Sequence, residues 1–110
     1  MEQSDIEAVK GIVGEGRCST KVADLYTYGF DASIHHRSPE MVVQPASTEQ
    51  VSRIVALANA RHIPVLARGG GTGLCGSAVP LEGGIVLDMT RMDAIKNIRV
   101  EDLFCVCQAG

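Results

Sequence analysis

Arg68-Gly69-Gly70-Gly71-Thr72-Gly73-Leu74-Cys75-Gly76 is the stretch that decides the fold, because its glycines leave almost no side chain between the backbone and whatever lies beside it. Glycine tolerates positive φ and close approach, so successive amides of such a segment converge into a concave nest that holds an anion such as a phosphate. The apolar run Pro64-Val65-Leu66-Ala67 just before it reads as a short buried strand. The nest therefore sits at a strand's C-terminal end, with the Thr72 hydroxyl as a further donor. The bland alternative is a glycine-rich turn with no ligand.

Two other phosphate loops can be tested on the same residues. Gly71-Thr72-Gly73-Leu74-Cys75-Gly76 is a literal G-x-G-x-x-G, and Asp88 closes a second apolar run, Ile85-Val86-Leu87. That dinucleotide motif works only if its last glycine opens a helix packed back on the strand. Here Ser77-Ala78-Val79-Pro80-Leu81-Glu82-Gly83-Gly84 holds a proline and a glycine pair, so no crossover helix fits and an NAD-binding Rossmann domain is the weaker reading. A P-loop needs Gly-Lys-Ser/Thr, and no lysine lies between Lys21 and Lys96.

Upstream of the nest, Met41 to Gln44 form a core strand with Pro39 and Pro45 tolerated at its ends. Ser47 caps a helix with Gln50 at its third position, and Val51, Ile54, Val55 and Ala58 share one face as far as about His62. Strand, helix and strand make a right-handed βαβ crossover, with a parallel pair beneath the helix fixing where residue 68 emerges. Nearer the start, Ser4 and Glu7 have capping-box spacing ahead of Ile6, Val9, Ile12 and Val13, which predicts an amphipathic helix over 5–13 closed by Gly14 and Gly16. Tyr26 to Ser33 reads as a surface loop. His35 and His36 point to opposite sides of an extended chain, so they are read as solvated side chains rather than ligands of one ion.

Downstream, residues 84–89 form a strand, and Thr90 to Asp93 form a turn whose Met92 packs inward. Residues 95–100 and 103–107 then read as an antiparallel hairpin turning at Glu101-Asp102, where the lack of glycine calls for a longer loop or a bulge.

At 110 residues the chain is one small domain at most. A net charge of −3 with no basic patch argues against a nucleic-acid partner. No apolar run approaches the roughly 20 residues of a membrane span. The acidic opening Met1 to Glu7 does not resemble a leader, so a cytoplasmic setting is expected. Cys18, Cys75, Cys105 and Cys107 show neither C-x-x-C nor paired histidines, which predicts buried free thiols and no metal site.

The ordered succession of Pro39-Glu40-Met41-Val42-Val43-Gln44-Pro45, a helix, Ile63 to Leu74, Ala78-Val79-Pro80 and Gly83-Gly84-Ile85-Val86-Leu87-Asp88 resembles the opening half of the FAD-binding domain of the vanillyl-alcohol-oxidase/p-cresol-methylhydroxylase (PCMH) type. The branch it resembles is that of FAD-linked D-lactate, glycolate and D-2-hydroxy-acid dehydrogenases, over about residues 26 to 110. The resemblance implies an α+β fold, a small βαβ subdomain followed by antiparallel strands. It divides the chain into an N-terminal helix and lead-in segment, 1–36, and a partial FAD-binding domain, 37–110.

It further implies that FAD seats its pyrophosphate on Arg68, Gly69, Gly70, Gly71, Thr72, Gly73, Gly76 and Ser77, and accepts a hydride from the α-carbon of a 2-hydroxy acid. Arg68 either pairs with phosphate or braces the loop through a local carboxylate, and bracing is favoured. Some relatives attach FAD through a histidine where Thr72 stands, so noncovalent binding is expected here. Such proteins are several times longer, and their catalytic residues come later. The chain is thus expected to be an inactive fragment with no catalytic residue of its own. Its expected partners are the remaining flavin and substrate domains, and a second copy through uncovered apolar surface. The alternative is a non-catalytic interaction module that keeps the scaffold.

Overall fold

The structure, a computed structural model, describes residues Met1–Gly110. Helix α1 runs Gln3–Val13, a two-residue strand β1 covers Cys18–Ser19, and a short helix α2 covers Val22–Thr27. Strand β2 (Met41–Val43), helix α3 (Thr48–Arg61), strand β3 (Val65–Arg68) and strand β4 (Ile85–Asp88) follow, and strands β5 (Ile95–Arg99) and β6 (Phe104–Cys107) form a hairpin.

The main sheet has the order β1-β2-β4-β3, with β1 antiparallel to β2 and the other three parallel. This corrects one expectation. Strands β2 and β3, joined through α3, are not paired, because β4 lies between them with Val42 and Leu66 both facing Val86. All four residues of β4 are buried, as befits a central strand covered on both faces.

Helix α3 forms where its pattern requires. The Ser47 hydroxyl accepts from the Gln50 amide at 3.2 Å, and the Gln50 side chain accepts from the Ala46 amide at 2.8 Å. His62 ends the helix in the left-handed region, φ 54°, its amide reaching back to Ala58 and Asn59. Ile54 and Ala58 are buried, with Val51 and Leu57 packed beside them. Val55 is 45% exposed, so Leu57 takes the place expected of it.

Helix α1 begins earlier than its spacing suggested. Asp5, not Glu7, reaches back to the first turn, accepting from the Glu2 amide at 3.1 Å. Asp5 is buried and lies 3.4 Å from the Arg61 guanidinium, which ties α1 to α3. Val9 enters the core with Met41, Val43, Ile54, Ile85, Leu87, Met89 and Met92. Each fully buried side chain of this kind contributes about 1.5–3 kcal/mol.

The β5–β6 hairpin stands apart from this core. Every residue of both strands is exposed, and Ile95, Ile98 and Phe104 retain 66%, 63% and 46% of their surface. Its register shifts between Ile95 and Asn97, and Leu103 takes φ 54° in the connecting turn, so both the bulge and the longer loop occur. The cysteines are free, but Cys75, Cys105 and Cys107 are exposed and Cys18 is half-buried, where burial was expected. No helix is long and apolar enough to cross a membrane.

Candidate functional site: the glycine loop and its supports

Because β3 and β4 are parallel neighbours, the chain must travel back along the sheet between them. Such a crossover ordinarily carries a helix. Here residues 69–84 contain neither helix nor strand, and a structureless connection of that length in a compact domain is usually functional.

No amide from Gly69 to Ala78 donates a hydrogen bond to a protein acceptor; the first in the connection to do so is Val79, to the Gly76 carbonyl at 3.1 Å. Most residues of this run are exposed, so its unpaired amides are left to solvent and are available to an anionic ligand.

The glycines fall into two groups. A Cβ on Gly71 (φ 68°) would strike the Arg68 guanidinium, one on Gly73 would meet the Asp31 carboxylate at 3.3 Å, and one on Gly76 (φ 77°) would meet the His35 ring at 2.7 Å. Those three are glycine because the protein's own side chains lie against them. A Cβ on Gly69 would meet nothing within 4 Å, and one on Gly70 only the Thr72 methyl at 3.8 Å. Their absent side chains leave an open face.

Arg68 is the largest support. Its side chain is 9% exposed, and Nη1 donates to the carbonyls of Phe30 at 2.8 Å and Ala78 at 3.0 Å. The guanidinium carbon lies 5.6 Å from the centroid of the Tyr28 ring. Arg68 therefore braces the loop as favoured, but through carbonyls and not a carboxylate, and no acidic group forms an ion pair with it. An uncompensated cation beneath Gly71 favours an anion above it.

Asp88 sits opposite Arg68 in the β3–β4 register. Its carboxylate accepts from Tyr28 Oη at 2.6 Å, Gln44 Nε2 at 2.8 Å, and the Thr90 amide and hydroxyl at 3.0 and 2.6 Å. Burial alone would raise the Asp88 pKa, but the donors Gln44, Thr90 and Tyr28 outweigh it and hold the group below its ordinary value. Tyr28 is pushed up to about 12, first by burial and then by its hydrogen bond to Asp88.

The signs fix a pH dependence. A raised phenol contributes stability that is intact below its ordinary value of 10.0 and is lost as pH climbs through about 12. A lowered carboxylate contributes stability present above 3.8 that is lost as pH falls through its folded value. The stability gap between the native chain and Tyr28→Phe, measured by urea unfolding, is expected to stay constant near neutrality and to shrink at the alkaline end; a gap that widens there would contradict the assignment.

The segment read as a surface loop turns out to underlie the glycine arc. Tyr28 reaches Asp88, the Ala32 amide donates to the Gly73 carbonyl at 2.9 Å, and His35 lies against Gly76. His35 and His36 are both exposed, as expected, and His36 also stacks on Phe30 at 6.3 Å and tilts against Tyr26 at 5.3 Å. Sequence reasoning missed Tyr28, Asp31 and Gln44, and weighed Asp88 only as the acid of a dinucleotide motif. A cavity of about 380 Å³ lies elsewhere, among residues that include Arg17, Ser19, Asp24 and Gln44, and contains no residue of the loop. The glycine arc is an open surface, so free donors identify it better than cavity volume does.

Residues 39–110 match the FAD binding domain family. The chain belongs to that family. Its relatives include the glycolate oxidase subunit GlcD of Bacillus subtilis, 38% identical over 80% of this chain and 19% of that protein. The D-lactate dehydrogenase of Archaeoglobus fulgidus is 46% identical over 64% of this chain and 16% of that protein. The crystal structure of p-cresol methylhydroxylase superposes with a TM-score of 0.77 at 23% identity, over 92% of this chain and 21% of that one, and so shares the fold. The chain spans about a fifth of the length of the curated relatives it matches. The family match begins at Pro39, yet α1 packs its Val9 into the same core.

Proposed function

We propose that the chain supplies the diphosphate seat of an FAD-dependent oxidoreductase acting on a 2-hydroxy acid. The observation that carries this reading is the unbroken series of free amides from Gly69 to Ala78, set above the Arg68 cation and open at Gly69 and Gly70. A diphosphate bridge fits that donor set: it is anionic, accepts several amide hydrogen bonds at once, and needs the close approach that a Cβ would block. The names of the relatives, a glycolate oxidase subunit and a D-lactate dehydrogenase, supply the substrate class.

FAD, when bound, supplies the hydride acceptor. The chain's own part is to bind and orient: amides of Gly69, Gly70, Gly71 and Thr72 toward phosphate oxygens, the Thr72 hydroxyl as a further donor, and Arg68 as the charge beneath. Attachment is noncovalent, since Thr72 offers an alcohol where the covalent relatives are expected to carry histidine. Residues acting on the substrate belong to the rest of the enzyme, carried by the same chain or another, and the exposed β5–β6 hairpin is a surface for it or for a second copy. Four free cysteines favour a reducing, cytoplasmic setting.

Titration of the chain with FAD, followed by flavin fluorescence, tests the seat. A saturable change is expected, with the flavin released intact on denaturation. Gly70→Val, which fills the open face without touching the core, is expected to weaken binding at least about tenfold while leaving the unfolding midpoint in place. Unchanged affinity in that variant would remove Gly70 from the seat. A second reading, a module that does not hold flavin, draws on the uncovered hairpin; an FAD titration with no signal would select it.

A further inference from the structure

We propose that Asp31 is the positioning residue of this seat: its carboxylate, inserted under the C-terminal half of the glycine loop, fixes that half in place and confines a bound diphosphate to the amides of Gly69 to Thr72. The proposal rests on reading the loop as an anion seat, and it excludes Gly76 and Ser77 from phosphate contact.

Asp31 Oδ1 accepts from the Ser33 amide at 2.8 Å, closing a tight turn. The same turn is fastened to the loop through Ala32, whose amide donates to the Gly73 carbonyl. The other oxygen, Oδ2, is shielded from solvent and has no hydrogen-bond partner. It lies 3.3 Å from where a Cβ of Gly73 would be, and is therefore pressed against the loop. A buried carboxylate oxygen left without a donor is costly and uncommon.

The loop amides account for its retention. The Ser33 hydroxyl first, and then the amides of Ser33, Ala78 and Gly76, hold the Asp31 carboxyl below its ordinary value against the opposing effect of burial. Gly76 and Ala78 stand close enough to act on the charge but outside hydrogen-bond geometry.

The two halves of the loop thus experience opposite fields. Gly71 lies over the Arg68 cation, whereas Gly73 lies over the Asp31 carboxylate and Gly76 over the His35 ring. An incoming diphosphate is attracted by the first half and repelled by the second. The carboxylate serves two purposes: its charge repels a ligand from the amides of the second half, and it holds Gly73 so that the open half keeps its curvature.

Amide-resolved NMR of the whole chain tests this with Asp31→Asn and Asp31→Ala. Asparagine retains one oxygen, enough for the Ser33 turn, but replaces the second with a donor that opposes the loop amides. Without ligand, Asp31→Asn is expected to shift the Gly73, Gly76 and Ala78 amides and speed their exchange by about tenfold, with the Ser33 amide unchanged. Inorganic pyrophosphate added to the native chain is expected to move Gly69 to Thr72 and leave Gly76 and Ala78 in place, and the half-saturating concentration is expected to rise about tenfold in Asp31→Asn.

Rescue to native behaviour by asparagine would reduce Asp31 to a turn residue and overturn the proposal, as would pyrophosphate shifts at Gly76 and Ala78 as large as those at Gly69 to Thr72. If Asp31→Ala fails to fold, the near-isosteric asparagine variant carries the test alone. If neither pyrophosphate nor FAD binds, the functional reading fails, but the ligand-free spectra still decide whether Asp31 holds the loop.

Discussion

Gly84→Ala is expected to unfold the chain or bring it to the edge of unfolding. Gly84 adopts φ 72°, and a Cβ there would be driven into the backbone carbonyl of Pro64. That carbonyl cannot swing away, because it accepts from the Ile85 amide at 2.9 Å, while the Gly84 carbonyl accepts from Glu40 at 2.8 Å and Met41 at 3.3 Å. The starts of β2, β3 and β4 meet at this residue. Left-handed backbone alone costs an alanine about 1–2 kcal/mol, and displacing the strand ends brings the total to roughly 3–5 kcal/mol. A small domain has only about 5–15 kcal/mol in all. Gly83 is the control: its φ is 76° but a Cβ would meet nothing within 4 Å, so Gly83→Ala is expected to lose only the conformational part. Equal urea midpoints for the two variants would show that the contact with Pro64 is not the cause.

Arg68→Met is expected to remove both the loop's rigidity and its affinity for FAD. Methionine fills a comparable volume but leaves the Phe30 and Ala78 carbonyls without their donor. Hydrogen bonds to a charged donor contribute about 1.5–3 kcal/mol each, so a loss of around 3 kcal/mol is expected for the pair. With the cation gone from beneath Gly71, FAD binding should weaken by about a hundredfold. Arg68→Lys should recover little of this, since both bonds come from Nη1 at the far end of the planar guanidinium, beyond where the ammonium of the shorter lysine stem sits. Near-native affinity in the lysine variant would mean that charge alone matters, and the bracing geometry would lose its role.

What could be read from the residues were features that repeat or punctuate locally. The caps and apolar spacing of α3, the glycine arc following an apolar run, and the missing helix after Gly76 all lie within a few residues of their cause. What could not be read was pairing at a distance. Nothing in Ile85-Val86-Leu87 says that it separates β2 from β3, since a buried central strand and a buried flanking one have the same apolar pattern. Tyr28 and Asp88 are 60 positions apart, and Arg68 and Phe30 are 38, so no periodicity links them. The supports beneath the loop come from the aromatic lead-in, whose lack of regular spacing made it look superficial. Glycine itself misled in one respect: five in nine residues suggested a single cradle, whereas Gly71, Gly73 and Gly76 accommodate the protein's own side chains and only Gly69 and Gly70 face outward.

The placement of β4 also determines when the sheet can exist during synthesis. Strands β2 and β3 leave the ribosome before β4 and have no partner in each other; β2 has only the two-residue β1, and the parallel ladders of both wait for a segment that emerges after the whole glycine loop. Until then the nascent chain carries two short apolar strands with open edges, the state most exposed to chaperones and to aggregation. The arrival of Ile85–Asp88 seats both neighbours in one event. A translation pause that holds Ile85–Asp88 inside the ribosome should therefore lower the yield of folded protein far more than one placed after that segment has emerged.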